Sequence, residues 1–136
     1  MIGALNHIAI AVPNLDEAME KYAGPLGAKV GKPKDLIEHG VTVVFIDLPN
    51  TKIELISPLG KNSPILSFMK KNPAGGIHHI CYEVESISNA ISKLTKDGAM
   101  ILGDGKPKIG AHGNSVIFLH PKDFNGTLIE LEEVKS

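Results

Sequence analysis

The stretch that decides the fold is Asn6-His7-Ile8-Ala9-Ile10, because the chain repeats its pattern as His78-His79-Ile80-Cys81-Tyr82. A second stretch recurs downstream of each copy, first as Thr51-Lys52-Ile53-Glu54-Leu55 and then as Thr127-Leu128-Ile129-Glu130-Leu131. The two histidines are 72 positions apart and the two glutamates 76. A nearly constant offset is the mark of an internal duplication, so the chain is interpreted as two copies of one unit.

Each copy predicts the order β-α-β-β-β. Runs of β-branched and aliphatic residues indicate strands, and apolar residues at helical spacing indicate helices. Asn14 or Asp16 is placed to cap the first helix. In the first copy we expect strands at residues 7–12, near Ala28, at 41–48 and at 52–56, with a helix at 15–22.

The second copy predicts strands at residues 80–84, 116–119 and 128–131, and a helix at 87–96. Between the copies, Ser63-Pro64 has the pattern of a helix cap followed by proline at the first helical position. We therefore expect a linker helix at about residues 63–72. The predicted fold class is α+β, with one domain over residues 1–136 made of repeats at about 3–58 and 76–134.

Composition narrows the class of protein. The chain has 136 residues, of which 43% are hydrophobic and 21% charged, with a net charge of −1. This near-neutral balance argues against a nucleic-acid or membrane surface and favours a small-molecule partner. The single Cys81 excludes an intramolecular disulfide and fits a reducing compartment. Because no signal peptide or membrane segment is apparent, we expect a cytoplasmic protein, or a mitochondrial matrix protein in a eukaryote.

The repeated His and Glu residues are candidate metal ligands. If the copies are related by a pseudo-twofold axis, His7, Glu54, His79 and Glu130 converge on it. Two imidazoles and two carboxylates suit one divalent ion such as Zn, Co, Ni, Mn or Fe(II). The alternative is that each residue lies at a strand edge and meets solvent.

Several longer motifs resemble those of a known family. They are Leu5 to Pro13, Glu38-His-Gly-Val41, Ile53 to Gly60, Ala74 to Ile80, Lys108-Ile-Gly-Ala-His-Gly113 and Phe118 to Asp123. Nearly end to end, the chain resembles the methylmalonyl-CoA epimerases of the vicinal oxygen chelate superfamily, also called glyoxalase-like. The resemblance implies two paired βαβββ modules that form curved mixed sheets around a metal site, and a homodimer.

The same resemblance assigns roles to residues. The metal ligands of the family fall on His7, His79 and Glu130, with the fourth on Glu54. The catalytic carboxylates fall on Glu38 and Glu130. The implied reaction is metal-assisted interconversion of (R)- and (S)-methylmalonyl-CoA, in which the C2 proton is removed to give an enolate and is returned on the opposite face.

Two further residues are candidates for contact with the CoA thioester. His112 lies in a glycine-rich loop that could bring an imidazole to a substrate carboxylate, although a plain turn would look the same. The chain has no arginine, so contact with CoA phosphates would need lysines such as Lys108. A solvated surface lysine is the alternative.

Three classes of function remain open. The first is the epimerase, an isomerase. The second is a glyoxalase I-type lactoylglutathione lyase, whose ligand set can also be two His and two Glu. The third is a non-catalytic binding member of the same fold. The motifs at 38–41 and 108–113 favour the epimerase, and the four retained ligands argue against a binding module.

Overall fold

A computed structural model of the chain describes residues 1–135. Within them, the order β-α-β-β-β occurs twice and a short helix separates the two copies. No helix in this part of the chain is long and apolar enough to cross a membrane. The elements are β1 (Leu5–Ala11), α1 (Leu15–Ala23), β2 (Lys34–Leu36), β3 (Val41–Asp47), β4 (Lys52–Pro58), α2 (Leu66–Lys71), β5 (Gly76–Val84), α3 (Ile87–Lys96), β6 (Lys108–Ile109), β7 (Ser115–Leu119) and β8 (Ile129–Glu133), with single-turn 3-10 helices at Ile37–His39 and Pro121–Asp123.

The chain forms two compact units. The first unit consists of His7–His78. Its strands lie in the order β2-β3-β4-β1. Strand β4 runs parallel to β1 and antiparallel to β3.

The second unit consists of Met1–Asn6 together with the described residues from His79 onward. Its strands lie in the order β5-β8-β7-β6. Strand β8 runs parallel to β5 and antiparallel to β7. Each unit therefore pairs its first strand with its last, as two copies of one βαβββ pattern should.

The helices of the two repeats begin in the same way. Asn14 Oδ1 accepts a hydrogen bond from the Glu17 amide at 3.0 Å, which confirms the predicted cap. Ser86 Oγ, 72 positions later, accepts from the Asn89 amide at 3.2 Å. A side-chain oxygen at this position satisfies an amide that has no partner within the helix.

Each helix covers one face of its own strands. Helix α3 buries Ile87, Ala90 and Leu94 against β7 and β8. Helix α1 packs Leu15 and Met19 against the buried residues of β3 and β4. The opposite face of each set of strands carries the candidate site.

Two predicted elements differ from the structure. The strand expected near Ala28 is reduced to one bridge between Val30 and Ile46, because Gly31 and Pro33 interrupt the run. The edge strand forms instead at β2. The linker helix begins at Leu66, and the Ser63 backbone carbonyl accepts from the Leu66 amide while no side chain caps the helix.

The opening residues of each repeat are built into the other unit. In the second unit, the Gly3 amide donates to the Glu83 carbonyl at 2.7 Å. In the first unit, Gly75 (φ +94°) lies so close to the Ala11 carbonyl that a Cβ would approach its oxygen to 2.5 Å. Both the glycines and the carbonyls are 72 positions apart, so corresponding residues meet in the two units, although the Gly75 amide donates to the Asn72 carbonyl instead.

Candidate metal and substrate site

The first unit brings together His7 and Glu54, which lie on neighbouring parallel strands. Ala9 pairs with Glu54 in the register of β1 and β4. His7 Nε2 lies 3.4 Å from Glu54 Oε1. His7 is 2% exposed and Glu54 5% exposed.

The second unit brings together His79 and Glu130 in the same manner. Cys81 takes the place of Ala9 and pairs with Glu130 in the register of β5 and β8. His79 Nε2 lies 3.1 Å from Glu130 Oε1, and each of the two residues is 6% exposed. Each unit therefore contains one buried His–carboxylate pair built on identical registers.

An aromatic ring orients the imidazole in both units. Phe45 pairs with Glu54 across β3 and β4, and its ring meets His7 edge to face at 5.9 Å and 83°. Phe118 pairs with Glu130 across β7 and β8, and its ring meets His79 at 5.3 Å and 88°. Such packing limits rotation of an imidazole and so fixes where its nitrogens lie.

Burial rules out the interpretation of these four residues as solvent-facing strand edges. A buried carboxylate needs a charged or hydrogen-bonding partner or a metal ion. Two ligand atoms about 2.1 Å from one ion, at angles of about 90–109°, lie about 3.0–3.4 Å apart. The distances of 3.1 and 3.4 Å within the pairs fit that requirement. Each pair thus offers one imidazole nitrogen and one carboxylate oxygen that suit a divalent ion.

Glu38 lies on the 3-10 turn Ile37–His39, which connects β2 to β3. Its side chain is exposed. Gly40 ends the turn in the left-handed region at φ +66°, and a Cβ there would approach Pro64 and Ser63 within 3.0–3.2 Å. The turn that carries Glu38 is therefore fixed by a glycine that another residue would not easily replace.

His112 forms a polar cluster with Glu132 and Asn114 in the second unit. His112 Nδ1 lies 3.3 Å from Glu132 Oε2. Asn114 Nδ2 donates to the same oxygen at 2.9 Å. Glu132 is 2% exposed, although it is charged. Since it is two residues beyond Glu130 on β8, both carboxylates lie on the same face of the strands.

The cluster keeps the buried carboxyl of Glu132 ionised. Burial, and to a smaller extent the charge of Glu130, would raise the pKa of this carboxyl, but the hydrogen bonds from His112 and Asn114 lower the pKa below its ordinary value. Glu132 is therefore ionised at neutral pH, and the loop residues His112 and Asn114 stabilise the charge.

Lys108, the other candidate for substrate contact, already has a local partner. Lys108 Nζ lies 3.1 Å from Asp104, and the Lys106 amide and Lys108 together lower the pKa of Asp104.

Three further side chains that could carry chemistry also have local contacts. His78 packs edge to face on Phe68 at 5.1 Å. His120 Nδ1 accepts from the Lys122 amide at 3.1 Å and caps the second 3-10 helix. Cys81 is fully buried, and its Sγ donates to the Tyr82 carbonyl at 3.8 Å.

Sequence reasoning missed Glu132 and Asn114. The signal was available in the repeat, because Ile53-Glu-Leu-Ile56 corresponds to Ile129-Glu-Leu-Glu132. A carboxylate that replaces an isoleucine on the face of the ligand pair indicates a second polar group there. The sequence predicted that Phe45 and Phe118 lie in strands, but it did not show that their rings pack against the two histidines.

Known proteins match this chain along almost its whole length. The family model described as the glyoxalase/bleomycin resistance protein/dioxygenase superfamily matches residues 6–118. The ethylmalonyl-CoA/methylmalonyl-CoA epimerase of Cereibacter sphaeroides is 66% identical over 98% of this chain and 100% of its own length. A lactoylglutathione lyase of Neisseria meningitidis is only 26% identical, over 97% of this chain and 91% of its own.

Solved structures agree with these sequence matches. A single-residue variant of the methylmalonyl-CoA epimerase of Streptomyces coelicolor, in complex with 2-nitronate-propionyl-CoA, superposes with a TM-score of 0.89 at 28% identity and covers 100% of this chain and 99% of its own. The predicted class of two βαβββ modules with mixed sheets is thereby confirmed. The chain belongs to the methylmalonyl-CoA epimerase family of the glyoxalase/bleomycin resistance protein/dioxygenase superfamily.

Proposed function

We propose that this chain interconverts (R)- and (S)-methylmalonyl-CoA. The observation that carries the proposal is the buried His–carboxylate pair, present once in each unit of a chain that is 66% identical to a curated epimerase of this substrate class. The reaction inverts one stereocentre and needs no redox group. It does need stabilisation of an enolate and proton transfer on two faces.

The two pairs are proposed to bind one divalent ion through His7, Glu54, His79 and Glu130. Support comes from the donor set, from the distances within each pair and from the matching registers of the two units. Cobalt, manganese, zinc, nickel and iron(II) all accept two imidazoles and two carboxylates. When bound, the ion would act as a Lewis acid toward the negative charge that develops on the thioester oxygen.

The chain's own carboxylates are assigned the proton transfers. Glu38 takes the C2 proton from one face, and the electron pair of the broken C–H bond delocalises into the thioester as the planar enolate forms. Glu130, which starts protonated, gives its proton to C2 on the other face, so that Glu38 ends protonated and Glu130 ionised. In the opposite direction the two groups exchange roles, because the enantiomers differ only at this carbon. Metal ligation would make the Glu130 carboxylate less basic, so either its bond to the ion would weaken during turnover or another group, such as water, would serve that face.

His112 is proposed to bind the free carboxylate of the substrate. It lies in a loop that is part of the same unit as His79 and Glu130. Lys108 is a weaker candidate for the CoA phosphates, because Asp104 already pairs with its ammonium group. An incoming phosphate would have to compete with that ion pair.

In this proposal the substrates include a thioester with a larger alkyl group at C2. The Cereibacter sphaeroides relative is named for ethylmalonyl-CoA as well as methylmalonyl-CoA. The two thioesters carry the same reacting C2–H bond and the same carboxylate, and differ by one methylene. Epimerisation of ethylmalonyl-CoA by this chain is therefore expected.

The experiment that tests the function is proton NMR of methylmalonyl-CoA in D2O. Chelator-treated protein should leave the C2 proton signal unchanged, and added Co(II) should cause its exchange together with racemisation. Glu38→Gln should retain the metal and exchange the proton about 10²–10⁴-fold more slowly, since it removes only a proton-transfer group. Glu20→Gln, an exposed carboxylate on α1, is the matched control and should behave as the unaltered chain.

If the C2 proton did not exchange with any of the divalent ions tested, the proposed epimerase activity would be overturned. The next substrate would then be the glutathione hemithioacetal of methylglyoxal, which a lactoylglutathione lyase converts. Failure to bind any divalent ion would instead favour a non-catalytic binding protein. Homodimer formation, and a cytoplasmic location or the mitochondrial matrix in a eukaryote, stay predictions.

A further inference from the structure

Ser63 carries a buried hydroxyl group that none of the contacts described so far explains. The residue is 6% exposed. Within residues 1–135, its Oγ has no hydrogen-bond partner. Burial of a hydroxyl without a hydrogen bond is unfavourable, and such groups are rare in folded proteins. The hydroxyl of Ser63 therefore needs a role that justifies its position.

A helix cap would be the ordinary role for this hydroxyl, because Ser63 precedes α2. The Leu66 amide, however, donates to the Ser63 backbone carbonyl at 3.2 Å, and no side chain caps the helix. At the start of α1 and α3, by contrast, the side-chain oxygens of Asn14 and Ser86 do accept from the helix. The hydroxyl of Ser63 is thus available to another partner.

The segment before α2 packs against the turn that carries Glu38. The Leu59 amide donates to the Gly40 carbonyl at 2.9 Å. A Cβ on Gly40 would lie 3.2 Å from Ser63 Cα, so the two backbones are in close contact. Gly40 ends the 3-10 turn Ile37–His39. The Ser63 backbone therefore lies against this turn only two residues beyond the proposed proton acceptor.

Glu38 offers the kind of partner that the Ser63 hydroxyl lacks. A hydroxyl group is a hydrogen-bond donor, and a carboxylate is an acceptor. The Glu38 side chain is exposed, so packing does not select one of its rotamers. A proton acceptor must nevertheless be held within hydrogen-bond reach of the group that it deprotonates. A donor beside the turn would meet that requirement.

We infer that Ser63 is a positioning residue for Glu38, whose carboxylate accepts a hydrogen bond from the Ser63 hydroxyl when the substrate is bound. The inference rests on the proposed function, in which Glu38 takes the C2 proton. One carboxylate oxygen accepts from Ser63 and the other takes the proton, so the hydrogen bond persists in both protonation states. The glutamate side chain is long enough to fold back over the short turn, and rotation of Ser63 about χ1 turns the hydroxyl toward it without moving the backbone.

Kinetics of C2 exchange with methylmalonyl-CoA test the inference in the full chain loaded with Co(II). Ser63→Ala should lower kcat about 10–100-fold, as expected for loss of one hydrogen bond to a charged group, and should change KM less than about twofold. Ser63→Thr keeps the hydroxyl and should recover most of the rate. Glu38→Gln should become no slower when combined with Ser63→Ala, because Ser63 acts through Glu38.

Ser63→Asp separates positioning from helix capping. An aspartate caps a helix as well as a serine does, but its carboxylate cannot donate a hydrogen bond to Glu38. The inference expects this variant to be at least as slow as Ser63→Ala, whereas a capping role alone would leave it as fast as the unaltered chain. Ser67→Ala, which removes an exposed hydroxyl from α2, is the matched control and should keep kcat and Tm. Circular dichroism checks that each variant folds, and Ser63→Ala with Ser63→Thr decides the matter if Ser63→Asp does not fold.

A crystal structure with Co(II) and methylmalonyl-CoA gives a readout that does not depend on turnover. It should place Ser63 Oγ about 2.5–3.0 Å from a carboxylate oxygen of Glu38. A separation beyond about 3.5 Å, an unchanged kcat in Ser63→Ala or a fast Ser63→Asp variant would each overturn the inference. Absence of C2 exchange in the unaltered chain would instead overturn the proposed function, and the separation of the two side chains would still decide whether they pair.

Discussion

The two units share one way of building a His–carboxylate pair, but they differ on the strand face beside it. In the first unit that face carries Ala9, Val43 and Ile56, and Phe68 and Met69 pack on it. In the second unit the corresponding face carries buried Glu132, with His112 and Asn114 bound to it.

The difference teaches what duplication preserved and what it changed. The registers that place His7 beside Glu54 are repeated for His79 and Glu130, because any slip by one residue would turn these side chains to the opposite face. The neighbouring positions were free to diverge. In the first unit an apolar cluster fills the space, while the second unit holds the polar cluster of Glu132, His112 and Asn114.

The largest expected effect tests whether the pairs are equivalent. His7→Ala and His79→Ala should each lose the divalent ion, as measured by elemental analysis after dialysis. Each should also lower epimerisation at least about a thousandfold, because the Lewis acid contributes several kcal/mol to the transition state. His120→Ala, which affects only a 3-10 cap, is the control and should keep both metal and activity. If one of the two histidine variants retained the metal, the pairs would not be equivalent and the four-ligand proposal would fail.

A second substitution gives the apolar face of the first unit the buried carboxylate that the second unit carries. Ile56→Glu places a carboxylate in the apolar cluster without the His112 and Asn114 that stabilise Glu132, so the free energy of unfolding should fall by about 3–5 kcal/mol. Ile56→Val is the control and should cost about 1 kcal/mol. Both are measured by urea denaturation. Similar losses for Glu and Val would show that the first face tolerates charge and that the contrast between the units is superficial.

The smallest expected effect concerns the N-terminal caps of α1 and α3, which are equivalent in the two repeats. Asn14→Ala and Ser86→Ala remove the equivalent caps of α1 and α3, and each should reduce the free energy of unfolding by about 1 kcal/mol. Asn14→Asp and Ser86→Thr keep a side-chain acceptor and should recover most of the loss. Thermal unfolding followed by circular dichroism compares the four variants. A large effect at one cap with none at the other would mean that the two helices contribute unequally to stability.

Much of the fold could be predicted because the repeat supplies long-range information. One copy of Ile-Glu-Leu resembles an ordinary strand, but two copies at matching offsets place both glutamates beside histidines. The order β-α-β-β-β followed from periodicity, and the cap at Asn14 followed from its local chemistry. These features depend on residues close in sequence or on the symmetry between the copies.

The rest depends on contacts that sequence spacing does not show. Nothing local distinguishes Glu132 from a solvent-facing strand residue, because its burial arises from a loop about twenty residues earlier in the chain. The linker helix started later than expected because Ser63 uses its backbone carbonyl rather than its side chain. The strand near Ala28 failed because glycine and proline leave too few consecutive residues for a ladder.

The positions of the opening segments indicate how the duplication arose. Residues 1–6 are built into the second unit, and residues 73–78, which correspond to them at an offset of 72, are built into the first. Two copies of a one-repeat ancestor that had swapped these opening segments, and whose genes later fused, would leave this arrangement. A half-length chain would therefore lack the segment that completes it, and could obtain that segment only from a second molecule.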